Sequence, residues 1–204
     1  MPNWCSNTLL LRGKEEDITR LLDTVADTDT TLSLAKIIAV PEALKNASSP
    51  NRDETSKEEN IKLYGASDWY DFQTSRWGTK WDVNATITYD SHLRTPGWQS
   101  RSPEATRTVS MSFESAWAPP QPAIDMLAKQ FPMVDIYLSY DEPGCDFSGY
   151  AMYSGGECVR TQDFESWSNI RHYIEPDIDI FEYFPDKEEG KTNATETVSS
   201  TTNV

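Results

Sequence analysis

The order of the periodic segments constrains the fold of this chain more than any other feature. Apolar and polar residues alternate from Cys5 to Leu11, which is the pattern of a strand that buries one face, and Gly13 ends it. An apolar stripe at helical spacing follows over residues 14–26, with acidic residues suited to its first turn. The chain therefore begins as a strand followed by a helix.

Four more segments continue this order. Residues 80–89 and 106–115 alternate as two strands, and their spacing predicts an antiparallel hairpin with a long tip. Prolines at 119, 120 and 122 open a second helix, and Val134–Tyr140 alternates as a fourth strand. The order strand, helix, strand, strand, helix, strand predicts an α+β, ferredoxin-like fold, with a split β-α-β antiparallel sheet and helices on one face.

The remaining segments are predicted as additions to this sheet. Residues 32–41 fit a short strand or an extended packing segment, and a short helix begins with Ser67 as its N-cap. A C-terminal hairpin turns about Ser154-Gly155-Gly156, and a last helix covers residues 164–174. Polar composition predicts inserted loops over 45–60 and 90–105. We therefore expect one domain over residues 1–185 and a disordered tail over 186–204.

The charge of the chain limits its partners. The formal net charge is -15, so we expect no direct binding to nucleic acid and none to an anionic membrane. Nine acids and two bases lie from Asp163 to Glu189, which makes this region a candidate surface for a basic protein. The candidate protein-binding residues in it are Glu175, Asp177, Asp179 and Glu182. The alternative is that the acidic residues only keep an aromatic-rich chain soluble.

Tryptophans and charges are concentrated in one short segment, Arg76-Trp77-Gly78-Thr79-Lys80-Trp81-Asp82. A flat indole beside a fixed cation suits an anionic ligand, and base stacking with a lysine on phosphate would suit a nucleotide. The alternative is structural, with both indoles packed in the core and Lys80 reaching solvent. On a strand, Lys80 would point away from Trp81.

Two further residues are candidates for a ligand site. Trp117 lies between a strand and a helix, where it would cover a pocket or close the end of the sheet. Glu142 follows the fourth strand, where it would act at a site or stabilise the turn at Pro143-Gly144. The predicted ligand-binding set is Trp77, Lys80, Trp81, Asp82, Trp117 and Glu142. No catalytic residue, metal ligand or cofactor is predicted, because no motif for one occurs.

Several motifs together resemble a known family. They are Met1–Asn7, Trp77–Asp82, Phe113–Pro120, Tyr140–Gly144 and Phe147–Gly149, within roughly residues 1–160. The chain resembles the YubB-like family, which has a ferredoxin-like domain and occurs in phages and conjugative plasmids. The resemblance implies a ferredoxin-like fold and an accessory gene of a mobile element, and it supplies no catalytic residues to assign to this chain.

Three functions follow as hypotheses. The first is a non-enzymatic phage or plasmid protein that inhibits or sequesters a host protein, as in anti-defence. The second is a binding protein or enzyme for a small, nucleotide-like anion at the tryptophans and lysine. The third is a minor virion component. We expect the protein to be located in the host cytoplasm, since the segment Met1–Cys5 lacks a signal-peptide pattern and no long apolar run occurs.

Overall fold

The computed structural model describes residues 2–91 and 107–166. In these ranges it has α+β architecture, as predicted, with one six-stranded antiparallel sheet in the order β2-β3-β1-β4-β5-β6. In chain order the elements are β1 (Trp4–Gly13), α1 (Glu15–Val25), α2 (Leu34–Ile37), α3 (Glu42–Lys45), α4 (Glu54–Tyr64), α5 (Trp69–Arg76), β2 (Thr86–Ser91), β3 (Arg107–Ala116), α6 (Gln121–Gln130), β4 (Asp135–Glu142), β5 (Phe147–Ser154) and β6 (Glu157–Phe164).

The main core joins the two predicted helices to alternate residues of the central strands. Leu9 of β1 lies opposite Met111 of β3 on one side and Leu138 of β4 on the other, and all three are fully buried. Ile18 of α1 and Ile124 of α6 belong to the same cluster. Burial of large aliphatic side chains contributes about 1.5–3 kcal/mol each, so this cluster is the main source of stability.

The other residues of each strand point to the opposite face of the sheet, and that face has two different environments. On β4 and β5, Tyr137, Tyr150 and Met152 form a second buried cluster, in which the two tyrosine rings stack 5.8 Å apart. On β1 and β3, Ser6 and its cross-strand partner Glu114 are exposed. The β1–β3 side is therefore the accessible part of this sheet face.

The predicted loop over residues 45–60 was wrong in its second half, because helix α4 begins at Glu54. Asp53 caps the helix by accepting from the amides of Thr55 and Ser56, and Gly65 ends it with a left-handed φ of 74°. Asn60 is buried and donates to the Ser67 carbonyl at 3.1 Å. Caps and one buried amide thus hold a helix whose apolar pattern is weak.

Three other local predictions were also wrong. Residues 34–37 form helix α2 rather than a short strand or an extended packing segment, because the Asp82 side chain accepts from the Leu34 amide at the start of that helix. The N-cap of α5 is Asp68 rather than Ser67, since Asp68 accepts from two helix amides. The predicted strand over 80–89 begins only at Thr86. Before it, the Ala85 amide bonds to the Thr30 hydroxyl instead of a strand.

The C-terminal hairpin was predicted correctly as β5 and β6. The predicted last helix, over residues 164–174, does not begin at Phe164, because Phe164 is the last residue of β6. Residues 167–174 of that prediction lie outside the described residues. The same holds for residues 92–105 of the predicted 90–105 loop and for the predicted tail. None of the described helices is long and apolar enough to cross a bilayer.

Candidate functional site

The structure divides the predicted tryptophan segment into a buried half and an exposed half. Trp77 is 1% exposed, and its indole N–H donates to the Ile38 carbonyl at 2.9 Å. Gly78 follows with φ of 87°, and an added Cβ would lie 2.5 Å from Cδ of Pro122. Only glycine fits both this backbone and this contact. Trp77 therefore belongs to the core, where it cannot meet a ligand.

Asp82 serves as an anchor between two segments. Its carboxylate accepts from the Ser33 hydroxyl at 2.7 Å, the Leu34 amide at 2.6 Å and the Val83 amide at 2.9 Å. Carboxylates at helix N-termini satisfy amides that the helix itself leaves unpaired. These hydrogen bonds occupy both carboxylate oxygens, so a structural role is enough to explain why an aspartate stands at position 82.

The exposed half of the segment, Lys80 and Trp81, lies beside two aromatic residues from elsewhere in the chain, Trp4 and Tyr70. The ring of Trp81 lies 6.0 Å from that of Trp4 at 41°, and the two side chains are 39% and 44% exposed. The Lys80 ammonium lies 4.7 Å from the Trp81 ring centroid and 5.7 Å from that of Tyr70. We call Trp4, Tyr70, Lys80 and Trp81 the aromatic patch.

Lys80 and Trp81 meet because this segment is not a strand. On a strand their side chains would point to opposite faces, but β2 begins only at Thr86. The cation lies within the distance of about 6 Å at which an ammonium is attracted to an aromatic ring. The predicted pairing of cation and indole is thus present, with Trp81 alone rather than with Trp77.

Trp117 lies at the same end of the sheet in a strained conformation. Its φ is 72°, and its amide donates to the Asn3 carbonyl at 3.0 Å. The preceding residue, Ala116, pairs with Trp4, and its carbonyl accepts from Thr79. A bulky residue in left-handed backbone costs about 1–3 kcal/mol, and such strained residues cluster at functional sites. The indole is 49% exposed, so Trp117 is a second candidate contact near the aromatic patch.

Glu142 stabilises the turn after β4. It is 1% exposed and accepts from the amides of Gly144 at 2.8 Å and Cys145 at 2.5 Å. Burial alone would raise the pKa of Glu142, but hydrogen bonds from Cys145, Gly144 and Asn3 outweigh burial and hold the pKa below its ordinary value. The bond to Glu142 in turn raises the pKa of the Cys145 thiol, so Cys145 is a poor nucleophile.

An open groove of about 660 Å³ runs beside the aromatic patch on the accessible sheet face. Its floor contains Ser6 and Thr8 of β1, Ser112 of β3 and Thr86 of β2, and Trp4 stands at one end. Its charged lining residues are Glu114 and Asp82. No lysine or arginine lines it among the described residues, so the groove itself is acidic.

The sequence reasoning missed three members of this region. Trp4 and Glu114 lie in motifs that carry the family resemblance, and Tyr70 follows the predicted N-cap Ser67, but none of the three is predicted to meet a ligand. Strand alternation was the available signal, because Trp4 and Glu114 both fall on the face opposite the buried Cys5 and Phe113. Tyr70 reaches Lys80 only through the tertiary fold.

Other predicted residues lie away from this region or outside the description. The acidic candidates Glu175, Asp177, Asp179 and Glu182 are outside the described residues. Within residues 2–91 and 107–166, no cluster of three histidine, cysteine or carboxylate side chains is placed to hold a metal ion.

The second half of the chain is similar to a known domain. Residues 97–196 match the family model of the ferredoxin-like domain in Api92-like protein. The matched range starts before β3, includes α6, β4, β5 and β6, and continues through the acidic region, beyond residue 160, where the sequence resemblance ended. The ferredoxin-like domain is therefore confirmed, whereas the matched range omits β1, α1 and β2 of the predicted split β-α-β order.

A solved structure aligns with this chain. It is the crystal structure of protein Api92 from Yersinia pseudotuberculosis, at 12% sequence identity and a TM-score of 0.45. The alignment covers 80% of this chain and 98% of the other. No curated protein matches the sequence. The YubB-like resemblance and the mobile-element origin stay predictions.

Proposed function

We propose that this protein is a non-catalytic binding protein and that the aromatic patch contacts its partner. The exposure of Trp4 and Trp81, which lie against each other beside a lysine, carries the proposal. In the free protein these indoles stay in contact with water, so the stabilisation that burying them would give is not realised. Tryptophan is also enriched at the centres of protein interfaces. A partner that covers both rings would recover that burial.

The charged residues near the patch support binding rather than catalysis. Asp82 is occupied by four hydrogen bonds from the backbone and Ser33, and Glu142 holds a turn. Burial raises the pKa of Cys5 to about 12, and a carboxylate raises that of Cys145. These groups act within the fold, which leaves the aromatic surface as the feature that the fold does not explain.

The biological setting of the proposal comes from the resemblance. An accessory protein of a phage or plasmid would act in the host cytoplasm, where it would inhibit or sequester a host protein. A role as a minor virion component would use the same surface for assembly. The presence or absence of the chain in purified particles separates these two settings.

The test is capture from a bacterial lysate by the tagged full chain, followed by native mass spectrometry. We expect a stoichiometric protein partner with the wild type and its loss with Trp81→Ala and Trp4→Ala. Tyr89→Ala is the matched control, because Tyr89 is an exposed aromatic residue on β2 outside the patch. Equal capture by the patch variants and the control would contradict the proposal.

A small anionic ligand is the second candidate, and the Lys80 ammonium beside Trp81 favours it. Such a ligand would add a few hundred daltons to the native mass and would be lost in Lys80→Gln. Titration with a nucleotide, followed by tryptophan fluorescence, tests it directly. No fluorescence change at millimolar nucleotide would reject this second candidate.

A further inference from the structure

We propose that the groove beside the aromatic patch receives an extended segment of the partner protein that carries arginine or lysine at alternate positions. This inference rests on the proposed binding function and specifies the chemistry of the partner. It follows from the charge of the groove, its indole end and the spacing of its floor.

The charge of the groove favours a cation. Glu114 is exposed on the floor, and within the described residues neither a hydrogen bond nor an ion pair engages its carboxylate. Lys80 is not among the lining residues, because it lies against Trp81 and Tyr70. The chain as a whole carries a net charge of -15, so long-range attraction also favours a basic partner.

The indole end of the groove offers a second position for a cation. Trp4 lines the groove and packs against Trp81. An ammonium already rests over the Trp81 ring at 4.7 Å, so the patch accommodates a cation on an indole within this molecule. A guanidinium from a partner would make the same kind of contact with Trp4.

The strand geometry sets the spacing between these two positions. Trp4 pairs across the ladder with Ala116, and the next residue on the same face, Ser6, pairs with Glu114. Rows two residues apart on a strand are separated by about 7 Å, which is also the spacing of alternate side chains on an extended peptide. One cation would stack on Trp4, and the next cation, two residues further along the peptide, would meet Glu114. The serine and threonine hydroxyls would bond to the peptide backbone.

The experiment titrates nine-residue peptides into the full chain in solution and measures their affinity by isothermal titration calorimetry. The probe has the central sequence Arg-Ser-Arg, and matched peptides carry Gln-Ser-Gln and Glu-Ser-Glu. We expect binding of the arginine peptide only, weakened by added salt. We expect Trp4→Ala to weaken it about tenfold or more and Glu114→Gln about threefold.

Glu16→Gln is the matched charge control, because Glu16 is an exposed acid on α1 away from the groove. It should leave the affinity within about 1.5-fold, as expected for a distant surface charge. Trp4→Phe keeps an aromatic ring and should retain part of the affinity. Circular dichroism of each variant separates loss of binding from loss of fold.

The outcomes distinguish the inference from the proposed function. Equal binding of the three peptides, no binding of the arginine peptide at low salt, or no effect of Glu114→Gln would overturn the cationic segment. If lysate capture still depends on Trp4 and Trp81, the proposed function then stands without it. If capture is also unchanged in well-folded Trp4→Ala and Trp81→Ala, both fail.

Discussion

The division of the tryptophan segment leads to a quantitative prediction for Trp77→Phe. The substitution removes an indole N–H bonded to the Ile38 carbonyl at 2.9 Å. The loss of this partner costs about 1–2 kcal/mol, and the smaller ring in a site that is 1% exposed adds about 1–2 kcal/mol. We therefore expect the free energy of unfolding to fall by about 2–4 kcal/mol. For a chain of this size the Tm should fall by roughly 4–16 °C.

The measurement is urea denaturation followed by circular dichroism, since replacing a tryptophan alters the fluorescence itself. Trp81→Phe is the matched control, because Trp81 is 39% exposed and retains an aromatic ring beside Trp4. Its cost should stay below about 1 kcal/mol. Capture of the partner should be retained in Trp77→Phe. A loss below about 0.5 kcal/mol in Trp77→Phe, or equal losses in the two variants, would refute the assignment.

Three other substitutions test separate parts of the structure. Gly78→Ala should cost about 2–4 kcal/mol in urea denaturation, because its Cβ meets Pro122 in left-handed backbone; a neutral effect would contradict this. Asp82→Ala should cost about 1–2 kcal/mol and speed hydrogen exchange at the Leu34 amide, and unchanged exchange would contradict the anchoring role. Because hydrogen bonds outweigh burial and lower the folded-state pKa of Glu142, its contribution is present above the unfolded pKa of about 4.3 and lost as pH falls through the folded value. Glu142→Gln should therefore flatten the loss of stability below about pH 4, and an unchanged acid profile would contradict it.

Alternation and helical spacing predicted the elements that form the main core. The strands β1 and β3 and the helices α1 and α6 each bury one face, so their apolar residues recur with a clear period. Strand β4 is buried on both faces, and its alternation of Ile136 and Leu138 with polar or aromatic residues still indicated a strand. The helix α4 escaped prediction because its stability comes from Asp53, Gly65 and the buried Asn60 rather than from an apolar stripe. Polar composition there indicated a loop, whereas capping and one buried amide produce a helix.

The candidate site was predictable in composition and less so in geometry. The pairing of Lys80 with an indole followed from their adjacency, but the strand assignment placed them on opposite faces. Hydrogen bonds of Asp82 and Ala85 to the segment at 30–35 hold this region out of the sheet, and such contacts leave no local pattern. The role of Trp4 required the register between β1 and β3, which the alternation of either strand alone does not specify.

The central claim is that Trp4 and Trp81 are the surface covered by the partner. The most direct measurement is fluorine NMR of the full chain labelled with 5-fluorotryptophan, before and after addition of the captured partner. The chain has seven tryptophans, so single Trp→Phe variants assign the resonances. The account predicts that the Trp4 and Trp81 signals shift on binding while the buried Trp77 signal keeps its position. Binding that leaves the Trp4 and Trp81 signals unchanged would contradict it.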